Sequence, residues 1–388
     1  GNTDGNGIGD FYYAPPSGYL ALCSSNLSEP TIGPTSTTQA DDHFNTVIYS
    51  GSSGSQTITT GLQPDWIWIK VRSLTGYHNI TDTSRGITRE LFTNTTDDEE
   101  NTGRVASTSS TGFTFPSTEY GYTNENGQTF VSWNWHANGG STTANDASAT
   151  GVGSIDSVYQ ANTTAGFSIV TYTGSSSGTD GTPSTIAHGL GAVPKWILFL
   201  PRDQYDGCVY HGANTSAPAT DRLILKASTD GDAQSATSDD SLFFNDTEPT
   251  STVFSVGTRK HANSNGGMVA YCFADVEGYS KFGGFVGNGS TDGTFIYTGF
   301  RPAWFMFKRT DASATWFIYD NKRDPDNRVA QALFAETSGA ESEQTGGFVD
   351  FVSNGVKLRE DGSAMNASGG TFIYMAFAEA PFKYANAR

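Results

Sequence analysis

The chain has 388 residues, of which only 16% are charged, and its 22 Lys and Arg against 40 Asp and Glu give a net charge of −18. The acidic balance disfavours nucleic-acid and anionic-membrane partners, and an aromatic content of 13% is too high for a disordered chain. No stretch approaches the roughly 20 apolar residues of a membrane span, and no charged and then apolar leader opens the sequence.

Uncharged polar residues replace the missing charge. Gly alone occurs 45 times, and Ser, Thr and Asn are abundant, as is typical of turns and of solvent-facing strand positions. Three cysteines are too few for a disulfide framework and lie in no CxxC pair, so we expect Cys23, Cys208 and Cys272 to be buried small side chains. The composition predicts an all-β protein at an extracellular or virion surface.

Residues 1–42 are predicted to form a separate, extended N-terminal arm. Its expected aromatic anchors are Phe11, Tyr12, Tyr13 and Tyr19. Near the start, Asp4, Asn6 and Asp10 alternate with glycines, a pattern of carboxylate and amide oxygens like that of Ca²⁺-binding loops. No bidentate Glu closes the pattern, so a flexible Gly-rich lead is the favoured alternative, and no other cofactor is predicted. Because the chain starts with Gly1 and not Met, we also expect it to be a processed or partial chain.

After the arm, the same series of elements occurs three times. Each copy starts with a short strand and a Gly/Ser tract, turns into a Trp-led apolar strand, and ends in a strand that aligns without gaps with the other two. The leading tryptophans are Trp66, Trp196 and Trp304. The closing strands read FVSWNWHA, MVAYCFAD and FIYMAFAE. The last aromatic of each closing strand follows its leading Trp by 69, 77 and 73 residues, so we expect three copies of one fold.

The residue alternation predicts how these strands lie. Every second residue of the closing strand is large and apolar in all three copies, so that face is expected to lie in a core. The Trp-led strands are apolar on both faces and should be central. We therefore predict tandem antiparallel β-sandwich domains of the jelly-roll type over residues 43–138, 166–276 and 281–388. Residues 139–165 lack hydrophobic periodicity and are predicted to be a linker.

Two parts of the sequence carry a family likeness. The stretch GDFYYAPPSGYLALCSSNLSEP, from Gly9, resembles the tail of a lectin-like or SPRY-like domain of bacteriophage tail and virion proteins. Residues 278–311 and the ending YMAFAEAPFKYANAR are similar to repeated domains in tail-fibre-like proteins of marine bacteriophages. The likeness implies concanavalin-like β-sandwiches and an exposed virion or extracellular location. It implies no catalytic residues.

Aromatic residues beside amides in polar loops are the candidate glycan-binding residues, because a ring can stack on the apolar face of a pyranose while amides bind its hydroxyls. The first cluster comprises Tyr120, Tyr122, Asn124 and Asn126. The second comprises Tyr205 and Tyr210. The alternative for each cluster is that the rings fill a core or an interface.

Enzymatic motifs are missing from the sequence. A glycosidase needs two carboxylates about 5–10 Å apart, but residues 97–100 and Glu336, Glu341 and Glu343 lie in polar stretches, where solvated charges are the favoured interpretation. The six histidines show no metal-ligand spacing, and no nucleophile-elbow, Walker or dinucleotide pattern occurs. We predict no enzymatic activity and keep a polysaccharide depolymerase as the weakest alternative.

The sequence thus favours a non-enzymatic virion or extracellular fibre protein that contacts carbohydrate or protein on a host cell surface. The main alternative is a structural subunit that assembles with copies of itself into an appendage or filament, through sheet edges or through residues 1–42. A homo-oligomer is expected. Nucleic acid and membranes are not expected partners.

Overall fold

The computed structural model describes residues 1–118, 121–203, 206–214, 223–224, 242–344 and 347–385. Strands make up 39% of the chain and helices 6%, and the strands pair antiparallel in several sheets. The prediction of an all-β fold is confirmed. No helix in the described ranges is long and apolar enough to cross a membrane.

The first repeat folds into one large and one small sheet. Its strands are β1 (Phe44–Ser50), β2 (Gln56–Thr59), β3 (Trp66–Val71), β4 (His78–Asp82), β5 (Glu90–Phe92), β6 (Ser107–Ser109), β7 (Gly112–Phe115) and β8 (Thr129–Trp135). The large sheet has the order β1-β8-β3-β4-β5, and the small sheet has the order β2-β7-β6. Ile58 and Phe113 of the small sheet pack against Ile67 and Ile69 on the outer face of the large one.

The second repeat has the same two layers with a wider large sheet. Its strands are β9 (Thr143–Asn145), β10 (Ser157–Asn162), β11 (Phe167–Tyr172), β12 (Ser184–Ala187), β13 (Trp196–Pro201), β14 (Cys208–His211), β15 (Leu223–Ile224), β16 (Val253–Val256) and β17 (Met268–Phe273). Two one-turn helices accompany them, α1 (Ala147–Thr150) and α2 (Lys260–Asn263). The large sheet has the order β15-β14-β13-β17-β11-β10-β9, and β12 pairs with β16.

The third repeat completes the chain. Its elements are β18 (Ser280–Val286), β19 (Phe295–Tyr297), β20 (Phe300–Arg309), β21 (Phe317–Asp320), β22 (Gln331–Phe334), β23 (Ser342–Glu343), β24 (Val349–Val352), β25 (Gly355–Leu358), α3 (Ser363–Asn366) and β26 (Thr371–Pro381). The large sheet has the order β18-β26-β20-β21-β22-β23, and the small sheet has the order β19-β25-β24. Short 3₁₀ turns lie at Ser24–Asn26, Ala40–Asp42 and Phe382–Tyr384.

The three large sheets share one strand order and one register. In each, the closing strand lies between the opening strand and the Trp-led strand, and its last aromatic residue is directly opposite the leading Trp. The opposed pairs are Trp66 with Trp135, Trp196 with Phe273, and Trp304 with Phe377. This pairing explains the similar spacing of these residues in the three copies, because each closing strand must return to the same point on its Trp-led strand.

The inner faces of the three large sheets pack into one common core. Trp66 of the first repeat stacks on Tyr271 of the second, with ring centroids 4.4 Å apart. Trp135 of the first repeat meets Trp304 of the third edge-on at 6.0 Å. Phe273 and Phe377 join the second repeat to the third at 5.7 Å. Each repeat thus buries its aromatic face against the other two.

Residues 139–165 are not a linker. The strands β9 and β10 lie within them and extend the second large sheet beyond β11. Gln160 of β10 is fully buried, accepts hydrogen bonds from the amides of Asn138 and Gly140, and donates to the hydroxyls of Thr83 and Ser84. The tract lacks hydrophobic periodicity because a polar side chain takes the buried position at its contact with the first repeat.

The arm is not extended. Ile32 is fully buried in the common core, and Glu29 binds the amine of Lys383 and the hydroxyl of Tyr384, each at 2.5 Å. Residues 27–35 of the arm therefore fold back on the end of β26. Of the four residues expected to anchor the arm, Tyr12, Tyr13 and Tyr19 are exposed and Phe11 is half-buried. Cys23 is also exposed, contrary to expectation, whereas Cys208 and Cys272 are buried as predicted.

A buried charge network, the first clasp, joins the first repeat to the second. Arg85 binds Asp82 at 2.6 Å and Glu99 at 2.9 Å, and all three side chains are at most 6% exposed. From the second repeat, Tyr271 donates its hydroxyl to Asp82 at 2.7 Å, and Arg202 binds Glu99 at 2.7 Å. Burial alone would lower the pKa of Arg85, but the neighbouring Asp82, Tyr271 and Glu99 outweigh it and raise that pKa, so the guanidinium stays charged.

The second clasp repeats this arrangement between the third repeat and the first. Arg323 binds Asp320 at 2.6 Å and Glu341 at 3.1 Å. From the first repeat, the indole N–H of Trp133 donates to Asp320 at 3.1 Å, and Arg72 binds Glu341 at 2.7 Å. In each clasp, charged residues of one repeat bind two sites on a neighbouring repeat, namely the residue that follows the Trp-led strand and a residue of the closing strand. This equivalence indicates that the repeats are related by a pseudo-threefold rotation.

The interface between the second repeat and the third has a different chemistry. His211 is opposite Trp196, in the position that Asp82 and Asp320 occupy in the other copies, and Asn214 follows three residues later in place of an arginine. The ring nitrogen Nδ1 of His211 accepts the amide of Ala213, and Nε2 donates to the carbonyl of Tyr374 in the third repeat. This contact is neutral, because burial lowers the pKa of His211 to about 4.

Candidate functional site

The first predicted glycan cluster divides into a partly exposed ring and a buried loop support. Tyr122 is 36% exposed, and its ring packs against that of Tyr77 at 4.8 Å. Asn124 is 1% exposed; its oxygen accepts the amide of Ser52 and its nitrogen donates to the carbonyl of Gly54. Asn124 therefore holds a loop together and presents no amide to a ligand. Asn126 is exposed, and Tyr120 lies outside the described residues.

The second predicted cluster does not form a surface. Tyr210 lies in β14, is 3% exposed and packs edge-on against Phe244 at 5.5 Å. Burial raises the pKa of its hydroxyl, and Glu248 adds to the effect. The glycan-binding prediction is wrong for Tyr210, since its ring fills the outer core of the second repeat. Tyr205 lies outside the described residues.

The three residues predicted to bind Ca²⁺ have other roles in the structure. Both oxygens of Asp4 are hydrogen-bonded: one accepts the amides of Asn6 and Ile8, and the other accepts the amide of Ala21 and the side chain of Asn26. These bonds, led by that from Ala21, lower the pKa of Asp4 to about 2. Asp10 is exposed and pairs with the N-terminal amine. The described part of the chain contains no group of three His, Cys, Asp or Glu side chains placed to hold a metal ion.

Several acidic residues expected to be solvated are in fact buried. Glu99 and Glu341 belong to the two clasps, in which Glu99 binds three arginines and Glu341 binds two. Glu336 is 4% exposed; one of its oxygens accepts the amide of Trp316, and burial raises its pKa to about 7. Glu343 is exposed and pairs with Arg328, as expected for a surface charge. The buried carboxylates bind arginine or backbone groups, so they serve to join and position parts of the fold.

A groove between the arm and the third repeat is the strongest candidate for a binding site. It encloses about 670 Å³, within the range of about 300–1,000 Å³ found for small-molecule sites. Four segments line it, which contribute residues from 26–30, 275–281, 297–299 and 381–383. We call this the arm groove.

Exposed aromatic rings distinguish the arm groove. Tyr297, the last residue of β19, is 60% exposed, and Phe382, just after β26, is 37% exposed. Alternation along β19 turns Ile296 into the core and Tyr297 outward. The amide of Phe382 donates to the carbonyl of Gly299 at 3.1 Å, which holds the backbone of Phe382 beside the turn that follows β19. The groove thus offers apolar ring surface together with polar walls.

The charges of the arm groove are mostly paired. Lys281 binds Asp275 at 3.0 Å, and Lys383 binds Glu29. Hydrogen bonds from Lys383, Tyr384 and Thr35 lower the pKa of Glu29 to about 2, so this carboxylate stays ionised down to strongly acidic pH. Glu277 is exposed on the groove wall and has no ion pair or hydrogen bond within the described ranges. The groove therefore presents one carboxylate available to a ligand.

Comparison with known proteins places the whole set of repeats in one family. Residues 39–381 match the family model described as "Domain of unknown function (DUF7483)". The chain belongs to this family. No match was found among curated proteins or among solved structures. The DUF7483 match starts at the 3₁₀ turn before β1 and ends with β26, so it covers all three repeats and most of the arm groove.

The sequence missed the arm groove because its walls come from four distant segments. One signal was available: on β19, Phe295 and Tyr297 flank a buried Ile296, and two aromatics on the solvent face of a short strand mark exposed ring surface. The sequence also contains a pattern that could have revealed the clasps. In both the first and the third copy, Asp-x-x-Arg begins 16 residues after the leading Trp.

Proposed function

We propose that this protein is a non-enzymatic module of a virion surface or extracellular fibre, which contacts carbohydrate or protein on a host cell. The low charge density and the resemblance of both ends to phage tail-fibre and virion proteins support the proposal. The proposal includes the finer fold relationship, in which each repeat is a jelly-roll, concanavalin-like sandwich. The pairing of one large and one small sheet in every repeat supports that relationship.

One observation carries the binding role, namely the arm groove. Its volume, the exposed ring of Tyr297 and the available carboxylate of Glu277 together are typical of a site that uses ring stacking for affinity and a few polar groups for orientation. The carboxylates of the two clasps are engaged by arginines, which favours a structural over a catalytic role for them.

The test is a glycan array probed with the full chain, followed by an assay for reducing-sugar release from the glycans that bind. Retention of glycans without cleavage is the expected result. Cleavage would contradict the non-enzymatic part of the proposal and favour a polysaccharide depolymerase. Absence of binding to any glycan would contradict the carbohydrate-contacting role.

A second candidate function is self-assembly into a homo-oligomer or filament, and the exposed residues of the arm favour it. Tyr12, Tyr13 and Tyr19 are each at least 69% exposed, and Leu22 is fully exposed. Such a run of exposed rings is typical of an interaction surface. Light scattering of the full chain should give a multimer, and the double variant Tyr12→Ser, Tyr13→Ser should give the monomer of 41.3 kDa. A monomeric wild-type chain would exclude self-assembly through this surface.

A further inference from the structure

We propose that the arm groove binds a neutral oligosaccharide, with the ring of Tyr297 as the platform on which a sugar stacks. The inference rests on the proposed carbohydrate-contacting function and adds the site and the ligand class. The argument uses the rigidity of the rings, the rigidity of the facing wall and the balance of charge.

The platform is held in place before a ligand arrives. The backbone of Tyr297 pairs with Gly355 of β25, and its carbonyl accepts the hydroxyl of Tyr374 at 3.4 Å. Its side chain lies over Gly299, because a Cβ placed on that glycine would be only 3.6 Å from the Tyr297 hydroxyl. A ring on a paired strand loses little conformational freedom on binding, so most of its stacking energy contributes to affinity.

The facing wall of the groove is also fixed. Lys383 donates to the carbonyl of Leu27 at 2.8 Å and binds Glu29, which holds the arm segment 26–30 against the end of β26. A Cβ on Gly278 would lie 3.1 Å from side-chain atoms of both Pro30 and Pro381, so this close approach depends on a glycine. The groove is thus preformed rather than assembled by its ligand.

The charge balance selects the class of glycan. The two lysines of the groove are neutralised by Asp275 and Glu29, while Glu277 keeps an available carboxylate. A carboxylate accepts hydrogen bonds from sugar hydroxyls, but it repels the carboxylates, sulfates or phosphates of acidic glycans. The net charge of −18 on the whole chain acts in the same direction. A neutral oligosaccharide can stack on the ring of Tyr297 and donate hydroxyl hydrogen bonds to Glu277 without charge repulsion.

The experiment compares four variants of the full chain with wild type on an array of neutral and acidic oligosaccharides, and then by calorimetry on the best ligand. Tyr297→Ala should weaken binding by about tenfold through lost stacking, and Tyr297→Phe should restore it because the ring is kept. Glu277→Gln should weaken binding to neutral glycans and reduce discrimination against acidic ones. Phe295→Ala is the matched control, an exposed ring on the same strand as Tyr297 that lies outside the groove lining, and should bind like wild type.

Each outcome decides one level of the argument. Wild-type binding that persists in Tyr297→Ala would overturn the arm groove as the site while leaving the proposed function in place. Preference of the wild-type chain for acidic glycans would overturn the ligand class. If wild type binds no glycan, the proposed function fails and the inference with it. Tyr297 is largely solvent-exposed, so an unchanged unfolding temperature of Tyr297→Ala should verify that any loss of binding is local.

Discussion

Asp82 is the centre of the first clasp, and its replacement by Asn removes a buried charge while keeping the side-chain shape. Asp82 and Arg85 are both fully buried and 2.6 Å apart. In Asp82→Asn the guanidinium of Arg85 stays buried and keeps only Glu99 as an anionic partner. Breaking a buried ion pair on one side costs about 3–5 kcal/mol, because the remaining charge is left without full compensation.

The first clasp also joins the first repeat to the second, so its loss should weaken the interface between them. Tyr271 of the second repeat donates its hydroxyl to Asp82 at 2.7 Å. Tyr271→Phe alone should cost about 1–2 kcal/mol for the lost hydrogen bond. In the double variant the two losses should not add, and a coupling energy of about 0.5–3 kcal/mol is expected for residues in one network.

Chemical unfolding of the four proteins, followed by tryptophan fluorescence, measures these free energies. Glu343→Gln is the matched control, since it removes the carboxylate of an exposed pair with Arg328 and should change stability by less than about 1 kcal/mol. Additive effects of Asp82→Asn and Tyr271→Phe, or a loss in Asp82→Asn no larger than in the control, would refute the reasoning that the clasp joins the repeats.

Three further predictions concern the core and the response to pH. Trp133→Ala and Trp135→Ala should each lower the free energy of unfolding by about 3–5 kcal/mol, and near-neutral shifts in calorimetry would show that these rings are not core. Burial raises the pKa of Glu336 to about 7, so the wild-type protein loses stability as pH rises from about 4.5 to 7. Glu336→Gln should therefore be more stable than wild type at about pH 8 and about as stable at about pH 4, as measured by chemical unfolding. An equal gain in the free energy of unfolding at both pH values would contradict this assignment. The lowered pKa of Glu29 predicts the opposite sign, because its contact with Lys383 is present above about pH 4.5 and is lost as pH falls towards 2. The protection factors of residues 24–35 against hydrogen exchange should fall over that interval, and constant protection factors would contradict this role of Glu29.

The sequence predicted the strands that define each repeat, because their signals are local. The strands that begin at Trp66 and Trp196, and the strand that contains Trp304, are apolar on both faces, and the large sheets bury both faces of each. The alternation in the closing strands also identified the inner face correctly, as the full burial of Trp133 and Trp135 confirms. Period-two patterns suffice where an apolar side chain takes every buried position.

Prediction failed where a polar group takes a buried position or where distant segments meet. Gln160 is fully buried and hydrogen-bonded to the first repeat, so a polar residue takes the position where an apolar one would have identified β10 as a strand. Glu341 is surrounded by polar residues in the sequence but lies between Arg72 and Arg323 in the structure. Tyr297 and the arm meet only because residues 24–35 fold back on the chain's end. These contacts depend on partners that are tens to hundreds of residues away.

The common core explains why the family match extends over all three repeats. In the first and second repeats the small sheet packs in a separate outer cluster, so the inner face of the large sheet is covered by the other repeats. In the third repeat the small sheet, with Ile296, Phe351 and Val356, belongs to the same continuous core. A single repeat would expose Trp66, Trp135 and their neighbours to water, so one repeat alone cannot bury its apolar surface. Charged clasps secure two of the three interfaces, and a neutral histidine contact serves the third. The different third interface breaks the symmetry of the repeats, and the arm adds a second asymmetry by creating a groove on the third repeat, where residues 26–30 and β19 meet.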